Sequence, residues 1–303
     1  MNFDHLLISP LNGSILKKIN KESCEFEGAD KYIVLNGVPI LVTDENSMFD
    51  IGSIINQTPL TQDKNYADKR NVKNFIRTSV LPTLSKDWSI RQRYRNLANS
   101  CVDKRVLIIG AGRKVGQYKE VFMRSELVIT SDVHIQFNPD IVFDVHQIPF
   151  RDNAFDLILV AQVLEHTMKP WIAASELERV GKIGSIIQVE VPFVFPFHGA
   201  PYDFFRFTFM GMRSLFRYSK IENFKATEGA FAAAAVTIGQ ALVDISSSRW
   251  IRYVMLVTAR LLFFWLKYLD LFSDGKKLKN ITMPKGMIFS FVKDGIKRND
   301  ADC

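Results

Sequence analysis

The 303-residue chain is predicted to be an α/β protein with a mostly parallel sheet and helices on both faces. From Lys104 onward, short β-rich runs (RVLIIG, ELVITSD, DIVFDV, FDLILVA and GSIIQVEVPF) alternate with helical stretches, the pattern of βαβ units. A glycine-rich turn, Gly110-Ala111-Gly112, stands where the first of these strands hands over to a helix. An apolar content of 47% with 23% charged residues is ordinary for a globular enzyme.

Residues 1–45 read as a small β-rich module, with Asn36-Gly37 a hairpin turn between two apolar runs. Residues 46–70 are polar, lack apolar periodicity and read as a linker, and residues 71–100 are helical in pattern. The third unit is the domain 71–303. Its last two strands are expected near 222–227 and 285–295, with a helical insertion at 229–282 between them.

The residues that carry chemistry follow the strands. Glycines at a strand-to-helix turn let a ligand approach the backbone closely, but Gly110, Gly112 and Gly116 alone also suit nicotinamide and flavin enzymes. Asp132 ends the second strand, twenty-two residues after Gly110, where a carboxylate can accept from both ribose hydroxyls of an adenosine or cap a helix. Asp144 ends the third strand, placed to accept from an adenine amino group. Gln162 and His166 follow the fourth strand at the carboxyl edge where ligands bind in such sheets. His166 suits a general base or a local structural contact. Glu176 and Arg179, at i and i+3, suit a salt bridge.

After the fifth strand comes Pro192 to Thr208, apolar with a few polar groups, as an acceptor pocket requires. His198 could remove a proton from a bound hydroxyl or amine, although proximity and alignment supply much of the rate in group transfer and a strong base is not obligatory. Asp203 and Arg206 could orient the acceptor or fix the loop as an internal salt bridge.

The run from Val106 to about Pro192 resembles the class I S-adenosylmethionine-dependent methyltransferases, specifically the type 11 branch. The resemblance rests on VLIIGAG, the acid of TSDV, FDVHQIPFRDNAFDLILVAQVLEH and ELERVGKIGSIIQVEVP. It implies a Rossmann-like, seven-stranded sheet and S-adenosylmethionine as cofactor. By position the cofactor residues are Gly110, Ala111, Gly112, Asp132, Val133, Asp144, Val145 and Gln162. One departure stands out: the family's acid two residues before the first glycine is Ile108 here. That implies weakened binding, a substitute group, or a non-catalytic protein on the same fold. The combination HGxPxDxxRxT from His198 to Thr208 resembles a subgroup tied to bacterial surface glycans. The implied acceptor is a small molecule or glycan, which a lipid could carry.

The N-terminal segment faintly resembles the zinc-ribbon-like domain of tRNA-methyltransferase activators. Ser9-Pro10-Leu11-Asn12 stands where that domain has its cysteines, so no metal is expected there or elsewhere. The three cysteines, Cys24, Cys101 and Cys303, lie far apart, which fits a reducing cytoplasm. No secretory signal is expected from the first residues.

Of the net charge of +7, the segment from Arg249 to Cys303 carries nearly all, with eleven Lys or Arg against five Asp. Read as one helix, 249–272 gathers Arg249, Arg252, Arg260 and Lys267 on a narrow face opposite Val254, Leu261, Leu262, Trp265, Leu269 and Phe272. That suits a helix packed on the enzyme with its cations in water, ahead of the alternative of a helix lying on the inner face of a membrane. No motif typical of nucleic-acid methylation appears.

Overall fold

The computed structural model describes residues 2–28, 30–43, 47–56, 80–272 and 282–299. Its centre is a six-stranded sheet built from β5 (Arg105–Ile109), β6 (Leu127–Ser131), β8 (Phe155–Ala161), β9 (Gly181–Pro192), β10 (Ser219–Glu228) and β11 (Gly286–Lys293), in the order β10-β11-β9-β8-β5-β6. Neighbours among β6, β5, β8 and β9 pair in parallel. β11 runs antiparallel between β9 and β10, so β10 points the same way as the parallel strands.

The expected seventh strand is short. β7 (Val142–Phe143) is tied to β6 by a single parallel bridge, Ser131↔Ile141, and ladders instead with the N-terminal strands. The count is therefore six, with a seventh at the margin.

Side-chain alternation explains the two-faced packing. Leu107, Ile109, Ile158, Val160, Ile187, Val189 and Val191 face one core with Ala173, Ala174, Leu177 and Met212. Those come from α4 (Pro170–Val180) and α5 (Phe209–Leu215). The intervening positions Val106, Ile108, Leu157 and Leu159 face a second core with α3 (Val115–Val121) and α2 (Ile90–Ser100). Helices thus cover both faces.

The first strands are β1 (Leu16–Ile19), β2 (Ser23–Phe26), β3 (Lys31–Leu35) and β4 (Val38–Leu41), antiparallel in sequence order. Asn36 (φ 52°) and Gly37 (φ 81°) make the β3–β4 turn with both residues left-handed, the geometry that the Asn-Gly pair favours. These strands do not enclose a core of their own. β4 pairs in parallel with β7, and Leu7, Phe26, Val34 and Leu41 belong to the same apolar cluster as Phe150 and Phe155. At the turn where a zinc ribbon has cysteines, Ser9 Oγ donates to Asp30 (2.6 Å) and Asn12 Nδ2 to the same oxygen (2.8 Å).

Two expectations need correcting. Within 46–70, read as a linker, residues 47–56 carry the short helix α1 (Ile51–Ile55), capped by Asp50 accepting from Ser53 N; residues 57–70 lie outside the described residues. Within 71–100, the helix starts only at Ile90, after an irregular stretch that includes Pro82, and 71–79 lie outside the described residues.

The insertion comprises α6 (Ala230–Val243), α7 (Arg249–Phe263) and α8 (Leu266–Leu269), so 249–272 is not one continuous helix. Asp270, just past α8, accepts from Gly229, Phe231 and Ala232 N–H and closes the insertion on itself. Lys267 leaves the expected cationic face. It is 6% exposed and donates to Thr83 O (2.7 Å) and Thr83 Oγ1. Trp88 packs on Tyr268, so the segment before α2 is tied to the insertion at two points. Among the described residues no helix is long and apolar enough to cross a membrane.

Candidate active site at the carboxyl edge of the sheet

At the carboxyl ends of β5, β6, β7 and β8 lies a cavity of about 180 Å³. Gly110, Asp132, Val133, Asp144, Val145, Gln162 and His166 all line it; Ala111 and Gly112 stand behind, in the turn itself. Residues up to fifty-six positions apart in the alternating pattern, Gly110 to His166, therefore meet at one edge because every parallel strand ends there.

Gly110 has φ +71°, and a Cβ there would lie 2.3 Å from Val163 Cγ2, so neither conformation nor space admits a side chain. Gln162 is also left-handed (φ 58°), and its N–H donates to Glu190 O.

Each strand-end acid is fastened by its surroundings. Asp132 Oδ2 accepts from Gly112 N (2.7 Å), and Oδ1 accepts from His134 N (2.8 Å) with His134 Nδ1 at 3.0 Å. The acid thus shapes the glycine turn that it faces. Asp144 Oδ1 accepts from His146 N (2.9 Å) and faces its Nδ1 (2.6 Å), while Oδ2 accepts from Ser47 Oγ (2.7 Å). Burial alone would raise the Asp144 pKa, but hydrogen bonds from His146 and Ser47 and the His146 charge hold it below the ordinary carboxylate value. Two oxygens offer about four lone-pair sites, so both acids keep accepting capacity beyond these bonds.

Sequence reasoning missed part of this wall. Met48 and Phe49 come from the segment read as linker, and Phe49 packs edge-on against Tyr202 at 5.2 Å. Nothing local to Met48 or Phe49 marks them; they arrive through β4 pairing with β7. His134 and His146 carried a signal, each two residues after a strand-end acid, the spacing at which a backbone N–H and a ring nitrogen both reach the carboxylate.

The expected acceptor-side residues divide. Only His166 lines the cavity, and His198 stands behind it with ring centroids 4.9 Å apart. Burial, then the neighbouring His166, pushes the His198 pKa down. Asp203 and Arg206 do not face the cavity. Arg206 grips both oxygens of Asp203 (2.6 and 2.8 Å) and donates to Phe195, Pro196 and Phe205 carbonyls, while Asp203 also accepts from His198 N. They fix the loop after β9 and act as positioning residues. Glu176 and Arg179 form the i, i+3 bridge at 2.7 Å, and Arg179 also holds the Ile148 and Phe150 carbonyls.

Ile108 is 1% exposed and packed in the second core, so the position offers no polar group to a ligand. On the same sheet face, nearer the carboxyl edge, Glu190 of β9 pairs with Arg93 of α2 (3.0 Å), which also holds Asp87 (2.8 Å). A larger groove, about 510 Å³, lies on the α2 side between that helix and β9–β11, and neither strand-end acid contributes to it.

Residues 119–189 match the family described as a methyltransferase domain. No curated protein matches the chain. Solved structures are similar to this chain at low identity. They include an S-adenosylmethionine-dependent methyltransferase from Archaeoglobus fulgidus (19% identity, 69% of this chain and 95% of that one, TM-score 0.41). The Haemonchus contortus phosphoethanolamine N-methyltransferase 2, solved with phosphomonomethylethanolamine and S-adenosylhomocysteine, is another (12%, 65% and 52%, TM-score 0.39). So is the [4+2]-cyclase SpnF (16%, 70% and 86%, TM-score 0.42). The matched segment runs through β6 and β8 into β9, and the glycine turn feeds directly into it, so residues 119–189 carry the match to a methyltransferase domain at the edge where the cavity lies.

Proposed function

We propose that the protein transfers a methyl group from S-adenosylmethionine to a small-molecule or glycan-type acceptor, bound between the cavity and the loop after β9. The single observation that supports this most is the convergence of Gly110, Asp132, Asp144 and Gln162 on one cavity at the carboxyl edge. These residues fit the adenosyl end of the cofactor. The glycine bend leaves room for close approach, Asp132 keeps a spare lone pair for the ribose, and Asp144 keeps one for an adenine amino group. The cavity is smaller than the ~300 Å³ at which small-molecule pockets usually begin, so it suits that end and not the whole cofactor. For the methionine end, Ile108 offers nothing, and we assign the substitute role to the Glu190–Arg93 pair on the same face.

When bound, the cofactor supplies an electrophilic methyl carbon on a sulfonium. The chain's own contribution is placement. Phe49 and Tyr202 exclude water on one side, and the Arg206–Asp203 lock holds the loop that brings His198 behind His166. The imidazoles present lone pairs toward the acceptor side, where they can take its proton. Calorimetry with S-adenosylhomocysteine tests the donor assignment. Asp132→Ala should weaken binding at least ~100-fold, because it removes the ribose acceptor and the anchor of Gly112 together. Unchanged affinity in that variant would remove the ribose assignment.

A peripheral membrane contact through 249–272 also belongs to this proposal. Trp250, Leu261, Leu262, Trp265, Leu271 and Phe272 are exposed on the insertion, Phe272 at 87%, and Arg249 is exposed beside them. The inward turn of Lys267 weakens the cationic face. Flotation with vesicles containing anionic lipid should carry the protein upward, and Trp250→Ser with Phe272→Ser should abolish it. Equal flotation of that double variant and the parent would sink the assignment.

A further inference from the structure

Glu165 is buried with no solvent exposure, and among the described residues neither carboxylate oxygen has a hydrogen-bond partner. An orphaned buried carboxylate is rare because removing it from water without a partner costs several kcal/mol, and one in a native fold asks for a missing ion, water or proton. Two imidazoles stand beside it. His166 Nε2 is 3.8 Å from Glu165 Oε1, the His198 ring meets the His166 ring edge-on, and one ligating atom from each of the three residues lies within 4.8 Å of the others.

The hydrogen bonds around these rings set their tautomers. His166 Nδ1 faces Tyr202 O, which puts its proton on Nδ1 and a lone pair on Nε2. At His198 Nδ1, two oxygens, Pro196 O at 3.2 Å and Asp203 Oδ2 at 3.4 Å, outweigh one Arg206 N–H at 3.2 Å and favour the same arrangement. A ring N–H held by a carbonyl or carboxylate, with the other nitrogen turned to the ion, is the usual outer shell of a metal-bound histidine. The backbone supports this geometry. Phe204 and Phe205 N–H both donate to Glu165 O, and Gly199 (φ +65°) lies so close that a Cβ would sit 2.7 Å from His166 Cε1.

From this we infer that Glu165, His166 and His198 form a binding site for a first-row divalent cation, with an open coordination position turned toward the cofactor cavity that His166 lines. This revises the expectation of no metal. Two imidazole nitrogens and one carboxylate match the donor set of catalytic zinc sites and of other mid-series cations, whereas magnesium and calcium prefer oxygen alone. Ligand atoms around such an ion stand about 3.4 Å apart, so the cluster closes by side-chain adjustments of an ångström or less. The fit of this ion to methyl transfer rests on the function proposed above. An acceptor hydroxyl at the open position would lose its proton to water more readily. Its oxygen would then take the methyl carbon while the carbon–sulfur bond breaks and that electron pair stays on sulfur.

The site is tested with Co²⁺ alone, without cofactor, on chelator-dialysed full-length protein. The wild type should bind one Co²⁺ per chain with visible absorption bands that Zn²⁺ displaces. Glu165→Gln and His198→Asn should each weaken binding about 100-fold while retaining the wild-type circular dichroism spectrum. Should Glu165→Gln fail to fold, His198→Asn decides. Absence of stoichiometric Co²⁺ binding, or variants that bind as tightly as the parent, would overturn the site. Cofactor calorimetry on the same preparations separates the two ideas: Co²⁺ binding without cofactor binding supports the cation site and sinks only the methyl-transfer reading.

Discussion

Two groups of buried carboxylates stand at the carboxyl edge of the sheet, and they are treated in opposite ways. Asp132, Asp144 and Asp203 are each enclosed by donors: Gly112 and His134 for the first, His146 and Ser47 for the second, Arg206 and His198 for the third. Glu165, a few residues past the end of β8, has none among the described residues. Hydrogen bonds and nearby positive charge hold Asp144 and Asp203 below the ordinary carboxylate pKa despite burial, whereas burial pushes Glu165 up to about 8. The difference separates acids that build the site from one that waits for a ligand. A partnered acid stabilises the loop it is tied to, while an unpartnered one destabilises the fold unless something outside the chain completes it.

Substitutions at the two groups should therefore diverge. The largest effect is expected at Asp203→Asn. Its side chain is 1% exposed and grips Arg206 through both oxygens, so losing the charge leaves a part-buried guanidinium unbalanced. Chemical denaturation should show a loss of about 3 kcal/mol. A loss below ~1 kcal/mol would mean that the loop carbonyls alone hold Arg206.

Asp144→Asn should cost about 1–2 kcal/mol at pH 7. Because the folded pKa lies below the unfolded value, this stabilisation is complete above the unfolded pKa of 3.8 and disappears as pH falls through the folded one. The gap between variant and parent should thus narrow below about pH 4. A gap independent of pH would show that shape and not charge is at stake.

The smallest effect belongs to Glu165→Gln in metal-free protein, within about 1 kcal/mol at neutral pH, since no hydrogen bond to the described residues is lost. A loss as large as that at Asp203 would erase the contrast between the two groups.

The same contrast marks what the sequence makes legible. The alternation of apolar runs identifies the parallel sheet, and the strand ends identify Gly110, Asp132 and Asp144, because position along a βαβ unit determines which residues reach the edge. What stays hidden comes from contacts across the chain. Ser47, Met48 and Phe49 enter the cavity only because β4 adds to β7, and no local pattern announces a parallel pairing across about a hundred residues. Amphipathic counting makes 249–272 one cationic helix, but the chain breaks after Phe263, and Lys267 is drawn inward by Thr83, an acceptor 184 residues away. Asp203 and Arg206 show the same limit from the other side. Their i, i+3 spacing allows either a ligand contact or a mutual lock, and only the Phe195 and Pro196 carbonyls, which saturate the guanidinium, decide for the lock.

The central claim is that an adenosyl group sits between Asp132 and Asp144 at the sheet edge. The most direct measurement is a crystal structure of the protein soaked with S-adenosylhomocysteine. The ribose should lie within hydrogen-bond distance of Asp132 and the adenine amino group should face Asp144, with Phe49 and Tyr202 along the ligand. Product density that leaves both Asp132 and Asp144 without a ligand contact, with the edge cavity still filled by side chains, would contradict it.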